Sequence, residues 1–119
     1  MLWHKLTDIS QLQDIINLSI EQSANGLTVL IFKHSTRCSI SSMALNRLET
    51  KWIDNEKIPA YYLDLLSYRN ISNEIEQVFS VEHASPQVLP IKNGVCIYNA
   101  SHTDISAADI LEAVRVKYR

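Results

Sequence analysis

The chain holds two thiols, Cys38 and Cys96, in 119 residues. Cysteine is an intrinsically strong nucleophile, and its thiolate attacks disulfides. Cys38 stands where an apolar, β-branched run, Leu27-Thr28-Val29-Leu30-Ile31-Phe32-Lys33, gives way to His34-Ser35-Thr36-Arg37 and then to a helical pattern. That places the sulfur at a helix start, where unpaired N–H groups and about half a positive charge favour thiolate over thiol. Arg37 is adjacent, and Lys33 and His34 lie just upstream. Such surroundings lower cysteine pKa values from ~8.5 into a range of ~4–7.5. The alternative is an inert core cysteine, since free Cys is often buried. The polar flanks Ser35-Thr36-Arg37 and Ser39-Ile40-Ser41-Ser42 argue instead for a solvent-facing turn.

Three residues on, where a dithiol enzyme carries a resolving cysteine, stands Ser41. The motif Cys38-Ser39-Ile40-Ser41 is thus of Cys-x-x-Ser type, and a hydroxyl cannot resolve a mixed disulfide. Ser41 either donates to the Cys38 sulfur or serves the backbone of the first helical turn. Pro86 follows Ser85 and opens a strand-like run. A trans proline at a strand start is the ordinary case, with only ~5% of X–Pro bonds cis. A cis bond would turn the Ser85 backbone outward, where a substrate could pair with it as a short extra strand.

The elements that position these residues follow from periodicity. Ser10-Gln11-Leu12-Gln13 has the form of a capping box, and Leu12, Ile15, Ile16 and Ile20 mark one helical face, ended by Asn25-Gly26. The apolar run before Cys38 is a strand covered by helices on both sides. Ala44, Leu45, Leu48 and Trp52 predict a helix over about 39–53. Pro59-Ala60-Tyr61-Tyr62-Leu63-Asp64-Leu65 reads as a second inner strand, and Ile71, Ile75, Val78 and Phe79 as a third helix. Residues 87–92 and 95–100 form a hairpin about Asn93-Gly94, the strongest two-residue turn signal. Ser106-Ala107-Ala108-Asp109 caps a last helix whose inner face carries Ile110, Leu111 and Val114.

The order α-β-α-β-α-β-β-α gives an α/β fold: a four-stranded mixed sheet (βαβ plus ββα) with helices on both faces and an extra N-terminal helix. The whole of 1–119 reads as one domain, in keeping with its length. Pro90 falls inside the third strand and lacks a ladder donor, which predicts a bulge or a lost hydrogen bond. The hairpin register sets Ile91 opposite Cys96, about five residues or ~16 Å along the sheet from Pro86. A disulfide needs Cα atoms within ~7 Å, so Cys96 reads as a structural strand residue.

Other chemistries find little support. Eleven Lys and Arg against 13 Asp and Glu leave a net charge of −2, which points to neither nucleic acid nor a membrane surface. The only glycines, Gly26 and Gly94, cannot build a Walker loop or a dinucleotide fingerprint. No run approaches the ~18 apolar residues of a membrane span, and Met1-Leu2-Trp3-His4-Lys5 is no signal peptide. A cytoplasmic setting with reduced cysteines is expected. His4, His34, His83 and His102 are scattered without ligand spacing, so no metal site is expected. His34 and His83 either lie near Cys38 and affect its charge or are solvated loop histidines. Asp64 reads as a turn acid, and Tyr61, Tyr62 and Tyr98 as sheet packing.

A strand, a Cys-x-x-Ser helix start, a second strand and helix, then X-Pro, hairpin and helix resembles the thioredoxin superfamily. Within it the chain is most similar to the monothiol bacilliredoxins of the bacillithiol system. The likeness spans nearly the whole chain. It is carried by Phe32-Lys33-His34-Ser35-Thr36-Arg37-Cys38-Ser39-Ile40-Ser41, Tyr62-Leu63-Asp64-Leu65, Val81-Glu82-His83-Ala84-Ser85-Pro86-Gln87 and Ile91-Lys92-Asn93-Gly94.

The resemblance implies that Cys38 is the reactive thiol, supported by Thr36, Arg37 and Ser41. It implies that Pro86 is a cis proline, with Ser85 and Pro86 positioning substrate. No bound cofactor is implied; bacillithiol is the exchanging small thiol, and S-bacillithiolated protein cysteines are the partners. Ser39 stands where the family often has proline. The strand before Cys38 lacks the buried acid of thioredoxins, which fits exchange with a small thiol. Two other readings belong to different classes. One is an iron–sulfur carrier like the Cys-Gly-Phe-Ser monothiol glutaredoxins, whose glycine and phenylalanine are here Ser39 and Ile40. The other is a non-catalytic stress or adaptor module on the same fold.

Overall fold

The computed structural model describes residues 2–21, 28–52 and 58–117. In chain order these form β1 (Trp3–Lys5), α1 (Ser10–Glu21), β2 (Val29–His34), α2 (Ser39–Lys51), β3 (Ala60–Asp64) and α3 (Arg69–Phe79). There follow β4 (Gln87–Lys92), β5 (Val95–Cys96), β6 (Ala100–Ser101), a 3-10 turn (His102–Asp104) and α4 (Ala107–Lys117). The strands make one sheet in the order β1-β3-β2-β4-β5, with β6 also paired to β4. β3 runs parallel to β1 and β2, whereas β4 is antiparallel to β2, β5 and β6.

The expected mixed sheet is its centre, β3-β2-β4-β5, and two short strands extend it. β1 has three residues, too few to show a period, and is held by pairing with β3 more than fifty residues away. β6 arises because the second arm of the hairpin breaks in two. Lys92 pairs Val95 and Ile91 pairs Cys96, in the expected register. The next position, Pro90, accepts from Ile97 N–H at 3.0 Å but has no N–H to return. Pairing resumes only at Val88 with Ala100. On its other side β4 pairs β2 from Val29–Ile91 through Leu30–Pro90 to Lys33–Gln87 in unbroken register, so there is no bulge there.

β2 and β4 are buried at every position. Alternate side chains therefore feed two cores. Val29, Ile31, Leu89 and Ile91 pack with Leu12 and Ile15 of α1 and Ile71, Ile75 and Phe79 of α3. Leu30, Phe32 and Val88 pack with Ala44 and Leu48 of α2 and Ile110 of α4. Val78, expected on the inner face of α3, is exposed, as is Ile20 of α1. Ile20 nevertheless approaches the hairpin turn, where a Cβ on Gly94 would lie 3.4 Å from it. Asn93 and Gly94 both take positive φ, and their N–H groups donate to the Ser19 carbonyl and hydroxyl.

The caps differ from expectation at one end. Ser10 does not cap α1 with Gln13; Asp8 Oδ1 accepts the Ser10 N–H, and Gln11 Oε1 accepts from Thr7 and Asp8. Gln13 instead donates to Asn17. A carboxylate two residues earlier reaches the free amides better than a serine hydroxyl already inside the helix. At α4 the Ser106 hydroxyl does accept the Asp109 N–H, at 3.3 Å. The expected stop at Asn25-Gly26 lies outside the described residues.

Candidate active site

Cys38 occupies the N-cap of α2 with an extended backbone, φ −109° and ψ 123°. Its N–H donates to Ser35 O and its carbonyl accepts from Ser42 N–H, each at 3.1 Å. The backbone is thus satisfied, while the side chain makes no capping hydrogen bond. The result is a free, half-exposed thiol at a helix start. The first-turn amides of Ser39, Ile40 and Ser41 have no carbonyl one turn earlier to bond, and they leave a positive end beside the sulfur. Thr36 and Arg37 are exposed on the connecting turn. Thr36 also lines a cavity of about 500 Å³ with Trp3, Lys5, Tyr62, Asp64 and Tyr68.

Ser41 takes the backbone role rather than the sulfur. It is fully buried, and its hydroxyl oxygen accepts the Ser35 N–H at 3.0 Å. Its other partner is His34 Nδ1, 2.7 Å away. With the ring neutral, the Ser41 O–H donates to Nδ1, leaving the proton of the imidazole on Nε2. Burial pushes the His34 pKa below the ordinary histidine value, partly offset by Asp64. His34 is therefore no solvated loop histidine. As the last residue of β2 it ties the strand to the turn carrying Cys38 and to the first turn of α2.

Lys33 also departs from the reading as a positive neighbour of the thiol. On a strand covered on both faces, consecutive side chains enter opposite layers, so Lys33 points away from α2 and toward α3. It is fully buried. Its ammonium lies 3.4 Å from Ser72 O and 3.2 Å from His83 Nδ1. Burial holds its pKa down to about 8, against the pull of Glu76. Sequence reading placed Lys33 at the end of a strand and counted it among the positive neighbours of Cys38. The signal was present: a strand without a solvent face has nowhere exposed to put a lysine.

Ser85 and Pro86 lie at the adjoining edge. The β2–β4 pairing places Lys33 opposite Gln87, so the next step along sets His34 beside Pro86. The Ser85–Pro86 peptide bond is cis. Pro86 is buried and its carbonyl accepts His102 N–H at 3.1 Å. The Ser85 hydroxyl oxygen is buried with no hydrogen-bond partner.

Cys96 belongs to a different environment. It faces Ile91, five positions along β4 from Pro86, and its thiol donates to Tyr98 O at 3.0 Å. Burial pushes its pKa up to about 11. Asp64 is a turn acid, accepting from Leu66 N–H and the Ser67 hydroxyl. Tyr62 packs among Trp3, Phe32 and His34. Among the described residues no three His, Cys, Asp or Glu side chains gather as a metal site, and no helix is long and apolar enough to cross a membrane.

A family profile described as monothiol bacilliredoxin BrxC matches residues 4–110. Among solved structures, a candidate oxidoreductase with a thioredoxin fold is 29% identical, with a TM-score of 0.78 over 93% of this chain and 92% of that one. Thioredoxin of Fasciola hepatica superposes with a TM-score of 0.71 at 13% identity, covering 98% of this chain and 99% of its own. Mitochondrial thioredoxin 3 of Saccharomyces cerevisiae, in its oxidised form, gives 0.69 at 16% identity, covering 94% and 92%. These last two likenesses establish the thioredoxin fold; the profile match carries the thiol redox role.

Proposed function

Because this chain belongs to the monothiol bacilliredoxin family, whose profile spans residues 4–110, we propose that it is a thiol–disulfide oxidoreductase that removes bacillithiol from S-bacillithiolated protein cysteines through Cys38. The observation that carries the reading is Cys38 itself, a free and partly exposed residue at the N-cap of α2 whose side chain makes no capping hydrogen bond. In the first step the Cys38 thiolate attacks the bacillithiol sulfur of the mixed disulfide. The bond between bacillithiol and target breaks, a Cys38–bacillithiol disulfide forms, and the target cysteine leaves as a thiolate that takes up a proton. In the second, a low-molecular-weight thiol such as bacillithiol attacks that adduct. Cys38 is released, and the incoming thiol departs in a small-molecule disulfide.

The residues around the sulfur fit these steps. The unpaired first-turn amides of α2 face the charge that moves through the sulfur during attack and release, and Arg37 is the exposed residue preceding it on the turn. Ser41 cannot resolve the adduct, and its hydroxyl is already committed to Ser35 and His34. Cys96, remote and protonated, offers no internal resolving thiol. A second thiol from solution is therefore required, as a monothiol cycle demands. The Ser85 backbone beside Pro86 offers an extended substrate segment a strand-like partner, while the Ser85 hydroxyl stays buried. Such an exchange belongs in a reducing compartment, the cytoplasm of cells that make bacillithiol.

Mass spectrometry tests the reading. After incubation with a bacillithiolated protein, Cys38 gains one bacillithiol and the target loses it, while Cys38→Ser leaves the target modified. An adduct on Cys96 with none on Cys38 overturns the proposal.

A further inference from the structure

We propose that Lys33 is a positioning residue for the exchange: from beneath the sheet edge it holds the segment 82–85 that presents Ser85 and Pro86 to the substrate. The inference rests on the exchange reading above. Lys33 and Gln87 are a cross-strand pair on neighbouring strands, so their side chains stand on the same face of the sheet. Both are buried, at 0% and 2% exposure, and both reach into the same segment. The Lys33 ammonium donates to His83 Nδ1 at 3.2 Å and to Ser72 O at 3.4 Å. Gln87 donates from Nε2 to Glu82 O at 3.0 Å and accepts the Ala84 N–H on Oε1 at 3.4 Å. From α3, Glu76 accepts the His83 N–H at 2.7 Å and the Ser72 hydroxyl meets His83 Nδ1 at 3.3 Å. Three consecutive residues are thus gripped immediately before Ser85.

An ammonium has donors only, so the 3.2 Å contact requires His83 to be neutral with Nδ1 as acceptor. The charged groups acting on this ring are Lys33, Glu76 and Arg69. Burying a lysine is costly, and a fold that needed only apolar filling here would use methionine. What the amine adds is direction: it points the His83 ring, and with it the segment, toward one place. The neighbouring His34–Ser41 contact does the same for the turn carrying Cys38. The last two residues of β2 thereby hold the two halves of the site, one from each face of the sheet.

The experiment compares wild type with Lys33→Met, His83→Leu and His83→Asn. Asparagine carries its side-chain oxygen near the place of Nδ1 and can still accept from Lys33. Three readouts separate positioning from folding: kcat and KM for a bacillithiolated protein, alkylation of Cys38 by iodoacetamide, and amide hydrogen exchange over 81–86. Lys33→Met should raise KM for the protein disulfide about tenfold and speed exchange at 81–86 by a similar factor. Iodoacetamide, which needs no substrate edge, should react at Cys38 within about twofold of the wild-type rate. His83→Leu should follow Lys33→Met, and His83→Asn should stay near wild type. Unchanged amide exchange at 81–86 in Lys33→Met, or an unchanged KM, overturns the inference. A wild-type protein that transfers no bacillithiol overturns the exchange reading instead, and amide exchange alone then decides whether Lys33 holds the segment.

Discussion

Cys38 and Cys96 differ in what surrounds the sulfur. Cys38 leaves its sulfur unbonded at a helix start. Cys96 is partly buried, donates a hydrogen bond to Tyr98 O, and is held protonated by burial up to about pH 11. Only a thiolate alkylates at a useful rate. Iodoacetamide at pH 8 should therefore modify Cys38 and spare Cys96 in the folded protein, as read by peptide mass spectrometry. Labelling of Cys96 should grow only as the pH approaches 11 or the fold is opened with denaturant. Comparable labelling of both at pH 8 would show that the hairpin does not shield Cys96. Beside Cys38, Ser41 illustrates how one hydroxyl can serve two structural partners. By accepting from Ser35 and meeting His34 it fixes the turn that presents the thiol; the backbone role was one of the two its motif offered, the His34 contact was not.

At the scale of elements, Pro90 has the clearest consequence. It costs β4 one ladder bond on the β5 side and splits the second arm of the hairpin. Pro90→Val restores an N–H at the position facing Ile97 and fills a similar volume. It should stabilise the protein by about 1 kcal/mol and protect the new amide from hydrogen exchange. A loss of stability on urea denaturation would mean that the interruption is needed for the bend into β6. The β-branched run of β2, the α2 and α3 periodicities and the Asn93-Gly94 hairpin were all legible, because each is a local pattern that tertiary packing reinforces. β1 and β6 were not, since strands of three and two residues exist only through their partners. The Asp8 cap was missed because Ser10 offered a matching motif two residues on. The place of Cys38 at the start of α2 was legible because its polar flanks interrupt an apolar strand. The placements of Lys33 and His34 were not, because basic residues next to a candidate thiol invite an electrostatic reading before a packing one.

For the molecule as a whole, these environments set how stability depends on pH. His34 and His83 are both pushed below the ordinary value of 6.5, chiefly by burial. As pH falls below 6.5 the unfolded chain takes up protons that the folded one still refuses, so stability falls. On the alkaline side Lys33, at about 8 when folded and 10.5 when free, gives up its proton earlier in the fold, and stability rises from pH 8 upward. That gain comes to about 1 kcal/mol between pH 8 and pH 9. It does not continue. Cys96 ionises near 9 in the unfolded chain but only at about 11 in the fold, and burial raises Tyr61, Tyr62 and Tyr98 above 10. Each of these favours the unfolded state as the pH climbs further. The free energy of urea unfolding should therefore increase from pH 5 to 6.5, stay level to 8, rise to a maximum near 9 and then decline. Lys33→Met should erase the step between 8 and 9, and Cys96→Val should carry the rise on toward 10. A wild-type curve that is flat or falling between pH 8 and 9 would mean that the Lys33 ammonium is not buried as described. The Lys33–His83 contact would then lose its foundation along with it.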